Sequence, residues 1–172
     1  DILSNQHTLG EALPGRNRDI HMRLIVRDKH AGGDGMGNGG GAYAYDETIL
    51  TVSTSAGPFK INSQNGNTVW QADGLNTAEI EWNVANTDED PVLATHVDIL
   101  FSIDGGNSFP IILKENTEND GSEIITIPNA KTTRGRIKVK ASNNYFFDIN
   151  NRDIQIDTDC LAQGNYFESD AP

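Results

Sequence analysis

Apolar and polar residues alternate with a period of two through most of the chain. Ile20, Met22, Leu24 and Val26 interleave with Asp19, His21, Arg23 and Arg27, the pattern of a half-buried strand. A second strand is predicted at Thr48–Val52, antiparallel to the first and joined to it by a long glycine-rich loop. Strand signals then follow in regular succession at Phe59–Ile61, Thr68–Trp70, Ala78–Val84, His96–Ile103, Phe109–Leu113, Glu123–Ile127, Arg136–Ala141 and Asp153–Asp157. One face is expected to carry Ile80, Trp82 and Val84, and others Val97, Ile99, Phe101 and Ile103, and Ile137 and Val139. Asn65-Gly66, Asp73-Gly74, Asp90-Pro91, Asp104-Gly105-Gly106, Asn119-Asp120-Gly121 and Pro128-Asn129 supply the turns. No window carries a capped helical stripe. Short strands at this spacing predict an all-β fold, an antiparallel β-sandwich preceded by a smaller β unit.

The small residues Ser53 to Pro58 mark the best boundary. The expected organisation is a partial or small β unit over residues 1–55 holding the glycine loop, a sandwich over 56–158, and a tail over 159–172. Two strands and a loop cannot bury both faces of a sheet alone, so the first unit reads as incomplete.

Charge changes the list of partners. The 172 residues hold 13 Lys and Arg against 25 Asp and Glu, a formal net charge of -12. Such a field repels phosphate backbones and anionic leaflets, which argues against nucleic acid and membrane surfaces as partners. With 36% hydrophobic residues the protein has enough apolar material for a core. The one cysteine, Cys160, forms no internal disulfide. The sequence carries neither an apolar run of membrane-spanning length nor a signal peptide, and its start at Asp1 suggests a mature product or fragment.

Catalytic motifs are missing: there is no His-Glu-x-x-His, no Gly-x-Ser-x-Gly and no paired Cys. His7, His21, His30 and His96 lie apart without ligand spacing, and His21 and His96 read as surface histidines. Gly35-Met-Gly-Asn-Gly-Gly40 satisfies Gly-x-Gly-x-x-Gly, but a dinucleotide fingerprint opens a helix, and here a strand follows. No catalytic or cofactor-binding residue is assigned, and the protein is not expected to be an enzyme.

Two local patterns carry chemistry. Asp28, Asp34 and Asp46, with Glu47, flank or lie in the glycine loop, and oxygen ligands on a permissive loop suit Ca2+. Ser102-Ile-Asp104-Gly-Gly-Asn-Ser-Phe109 resembles the Asp-box, in which an aspartate closes a tight turn and an aromatic returns to the core. It reads as a folding device. Trp70, Trp82, Tyr145, Phe146 and Phe147 are candidates for a stacking platform, although Trp82 sits in a core pattern; Tyr43 and Tyr45 are better placed for exposure.

A family resemblance rests on Trp82-Asn-Val-Ala, Val97 to Pro110, Asn116 to Ser122, Ile125 to Asn129, Arg136 to Val139 and Phe146 to Ile149. In this order they are similar to immunoglobulin-like accessory modules in the C-terminal halves of secreted bacterial reprolysin-like zinc metalloproteases. Leu24 to Gly33 and Ser55 to Phe59 resemble the segment leading into that module, and the likeness covers about residues 9 to 157. A looser likeness extends to a repeat of fungal cell-wall synthesis proteins. The resemblance implies an immunoglobulin/fibronectin-like sandwich in a secreted, monomeric accessory region. Its role would be to bind extracellular protein or polysaccharide, or to position an upstream catalytic domain, whose zinc motif this sequence lacks. The alternative is a calcium-stiffened spacer or adhesin-type repeat.

Overall fold

The structure, a computed structural model, describes Leu3 and residues 14–28, 41–72 and 74–157. Asp34, His7, His30, Cys160 and the tail lie outside the described residues. The described part of the protein is all-β, and the protein separates into two compact units, Leu13–Thr54 and Asp1–Ala12 with Ser55–Pro172.

The smaller unit is a hairpin of β1 (Arg18–Arg27) and β2 (Tyr43–Val52), antiparallel from Arg18 opposite Val52 to Arg27 opposite Tyr43. β2 starts five residues before the expected Thr48, because Tyr43-Ala-Tyr-Asp-Glu continues the ladder. Ile20, Met22, Leu24 and Val26 share one face with Ala44 and Leu50. The expected half-burial is not found: Leu24 is 70% and Val26 61% exposed. On the other face Arg23 pairs with Glu47 and lies 4.7 Å over the Tyr45 ring, which stacks on Tyr43. Such cross-strand pairs hold a ribbon in which none of the described side chains is buried.

The larger unit contains β3 (Lys60–Ile61), β4 (Thr68–Gln71), β5 (Thr77–Asn83), β6 (His96–Ser102), β7 (Ile111–Glu118), β8 (Ser122–Thr126), β9 (Thr132–Ala141), β10 (Phe147–Ile149) and β11 (Ile154–Asp157). They form a sheet ordered β3-β5-β8 and a larger one ordered β4-β11-β9-β6-β7, with β10 also on β9. The pairings are antiparallel except β11 with β4. Alternation decides which side chains meet. Ile61, Ile80, Trp82 and Ile125 from the smaller sheet join Trp70, Val97, Ile99, Phe101, Ile137, Val139, Ile154 and Ile156 from the larger in one buried cluster. Each such aliphatic side chain contributes on the order of 1.5–3 kcal/mol when fully buried.

Two expectations about the core are corrected. Ile103 is 44% exposed, because the strand ends at the fully buried Ser102 and the turn begins there. Trp70 is not a surface platform: it is buried, with its ring stacked 6.0 Å from that of Phe101.

Close approach has a specific cause at Gly135. A Cβ there would lie 2.6 Å from the Phe101 ring and 2.8 Å from the Ile154 carbonyl oxygen, so β9 can pass between β6 and β11 only without one.

Two buried asparagines tie the loops to the sheets. Asn119 accepts from Trp82 Nε1 at 2.8 Å and donates to Thr87 Oγ1 at 3.0 Å and to the Ala94 carbonyl at 2.8 Å. Asn150 occupies the interruption between β10 and β11, which pair in turn along β9. Its Oδ1 accepts from the Ile137 N–H at 2.8 Å, and its Nδ2 donates to the carbonyls of Gln64 and Arg152 at 2.8 and 2.6 Å. A fully buried side-chain amide thus replaces ladder bonds that the interruption removes.

Candidate binding face

The outer face of the larger sheet follows from the same alternation. With Val97, Ile99 and Phe101 turned inward, β6 turns Asp98 and Leu100 outward; with Ile137, Val139 and Ala141 inward, β9 turns Arg136, Lys138 and Lys140 outward. Leu100 lies opposite Lys138 on one side and Ile112 of β7 on the other. The Lys138 ammonium sits 4.1 Å from the centroid of the Phe147 ring and 5.3 Å from that of Phe109, both within cation–π range. A continuous strip therefore runs from Ile112 through Leu100 and Lys138 to the two rings. Ile112 is 59% and Phe147 38% exposed, and Tyr145, in the β9–β10 turn, is 82% exposed.

The cations along β9 are not alike. Arg136 Nε donates to Asp153 at 2.7 Å, and Lys140 Nζ to Asp98 at 2.6 Å. Asp98 also accepts from Ser142 Oγ at 2.7 Å and from the Asn116 N–H at 2.9 Å. Burial opposes its ionisation as the largest single effect, yet the bonds from Lys140, Ser142 and Asn116 together hold its pKa below the ordinary value. Among the described residues, Lys138 has aromatic rings in place of a carboxylate. Burial, and secondarily repulsion from Lys140, push its pKa down.

At one end of this face the Asp104 turn closes as its residue pattern predicts. Asp104 Oδ1 accepts from Ser102 Oγ at 2.6 Å and from the Ser108 N–H at 3.0 Å, and Oδ2 accepts from Ser108 Oγ at 2.7 Å. The Ser102 hydroxyl, the Ser108 hydroxyl and the Ser108 N–H, in that order, hold the carboxyl far below its usual range. Gly105 and Gly106 take φ of 81° and 92°, a backbone that favours glycine. The aromatic departs from expectation: Phe109 turns to Lys138 on the outer face instead of joining the core cluster.

The other expected site residues disperse. Asp28 continues the hairpin ladder through its N–H to the Ala42 carbonyl at 3.1 Å, whereas Asp46 stands within β2 opposite Leu24. The strand between Ala42 and Asp46 spans about 13 Å, wider than two aspartates can reach across around one Ca2+. Asp34 lies outside the described residues. Among the described residues no three His, Cys, Asp or Glu side chains gather as a metal-binding group. Of the aromatic candidates, Trp70 and Trp82 are core, and Phe146 packs 5.1 Å from Phe59 against it; Tyr145 and Phe147 reach the surface.

Sequence reasoning missed Lys138, Leu100 and Ile112. The available signal was the polar register of Ile137-Lys-Val-Lys140, which places Lys138 and Lys140 on the face opposite the core. Compared with known proteins, the sequence matches no family model, no curated protein and no solved structure.

Proposed function

We propose that the larger unit is an immunoglobulin-like, non-catalytic accessory module of a secreted bacterial exoprotein, of the kind that accompanies zinc metalloproteases. In this reading it binds extracellular protein or polysaccharide through the outer face of the larger sheet. The strand partition supports the fold assignment. With β3, β5 and β8 as strands A, B and E, and β6, β7, β9 and β11 as C, C′, F and G, the two sheets follow the immunoglobulin division, and β4 extends the first strand onto G. The order of motifs from Trp82 to Ile149 supports the family.

The observation that carries the functional reading is the contiguous strip from Ile112 to Phe147. It exposes apolar side chains together on one sheet face, as binding patches do. The test is retention of the full-length protein on insoluble collagen, chitin and bacterial cell-wall material. Retention on at least one, reduced in Ile112→Asp, is expected. Uniform failure to bind would contradict the binding role.

A further inference from the structure

Lys138 adds a chemical requirement to the face just described. Its neighbours on β9, Arg136 and Lys140, each meet a carboxylate within 2.7 Å. Among the described residues, Lys138 makes its charged contacts with the rings of Phe109 and Phe147 alone. Leu100 and Ile112 extend the apolar border, and Lys138 is itself half-buried with its ammonium against the two rings, so the charge is partly desolvated in a protein whose net charge is -12. A desolvated cation without a counter-ion is unfavourable, and an incoming anion that docks there gains both the ion pair and the apolar contact. The neighbouring Asp98 and Asp153 are already engaged and do not offer that anion.

We propose that this face docks a polypeptide through a carboxylate, from an Asp, a Glu or the terminal carboxyl group of the partner, seated on Lys138 between Phe109 and Phe147 with flanking apolar side chains against Leu100 and Ile112. The inference rests on the binding role proposed above and specifies its partner. A polysaccharide fits less well. Sugar stacking uses open ring faces, and the Lys138 ammonium already takes one face of the Phe147 ring and approaches that of Phe109, which reduces the ring surface a sugar can cover. The aliphatic strip beside them offers no hydrogen-bonding groups to sugar hydroxyls.

The experiment measures retention of the full-length protein on gelatin beads, on gelatin whose carboxyl groups have been methyl-esterified, and on chitin, at low and high salt. Wild type, Lys138→Met, Lys138→Arg and Ile112→Asp are compared, with circular-dichroism melts establishing that each variant is folded. Wild type should be retained on gelatin, and esterification or Lys138→Met should lower retention about tenfold or more, as loss of a desolvated charge pair does. Lys138→Arg should keep most of it, and high salt should weaken it. Unchanged retention on esterified gelatin, or by folded Lys138→Met, would overturn the carboxylate assignment. Retention on chitin but not gelatin would overturn the polypeptide partner and leave the binding role standing, whereas retention on neither would overturn the polypeptide partner and, together with failure on bacterial cell-wall material, the binding role as well.

Discussion

Replacing Asn150 with alanine probes how the larger unit closes. The side chain is fully buried, and the substitution deletes its bonds with the Ile137 N–H and with the Gln64 and Arg152 carbonyls. The Ile137 N–H is buried, so leaving it without a partner costs about 1–3 kcal/mol. The two carbonyl bonds are partly exposed, water can replace their donors, and each contributes roughly 1 kcal/mol. The loss totals about 4 kcal/mol. For a folding unit of roughly a hundred residues this lowers Tm by about 15–30 °C. Urea unfolding followed by the fluorescence of the buried Trp70 and Trp82 measures it directly. Asn150→Asp keeps an acceptor for Ile137 but loses both donated bonds and buries a charge, so it should not rescue stability. A loss below about 1 kcal/mol for Asn150→Ala would refute the assignment of the interruption between β10 and β11 to this side chain.

Three further substitutions or conditions follow from the same geometry. Gly135→Ala should destabilise by about 1–3 kcal/mol in urea titration, since the added carbon meets the Phe101 ring and the rigid Ile154 carbonyl. Asp148 accepts from the Ile61 N–H at 2.8 Å, and burial raises its pKa. The native state therefore binds the extra proton between the unfolded and folded pKa values, and this group's contribution falls as pH rises through that window and is flat above it. Asp148→Asn, which retains an acceptor, should raise Tm at neutral pH and remove that slope. The pKa of Asp98 is held down as described, and that of Glu123 by the Thr117 hydroxyl and Lys114 against burial. Their stabilisation is present above the ordinary carboxylate pKa and is lost as pH falls through the lowered values, so Tm should drop on acidification below about pH 4.

Much of the larger unit was legible because a strand buried on one face writes its register into the sequence. Ile80 with Trp82, Val97 with Ile99 and Phe101, and Ile137 with Val139 were all readable as inward pairs or triplets. What alternation cannot show is which sheet a strand joins, so the Trp70 ring, inward on β4 and stacked on Phe101, looked like a surface aromatic. β10 escaped notice because it has only three residues and stops just before a polar, fully buried Asn150. β7 runs five residues past its expected end at Leu113. Its polar Lys114 to Glu118 still pair with β6 through register shifts, and Asn116 adopts a φ of 52° with its N–H capped by Asp98.

The candidate sites were less readable for a related reason. Asp28 and Asp46 look adjacent to one loop, but the ladder extends to Tyr43 and carries Asp46 along the strand. Lys138 reads as an ordinary solvent-facing residue until cross-strand register sets Leu100 beside it, the Phe147 ring, diagonal to it on β10, reaches its ammonium, and the Asp104 turn delivers Phe109. These contacts join residues far apart in sequence, and no local pattern encodes them.

Whether the outer face of the larger sheet is the binding surface is tested most directly by an amide chemical-shift map of the isotopically labelled protein, titrated with a soluble gelatin digest. Shifts should concentrate on Leu100, Ile112, Lys138 and Phe147 and vanish in Lys138→Met. Shifts confined to the β1–β2 hairpin, or to β5 and β8 of the opposite sheet, would contradict that assignment.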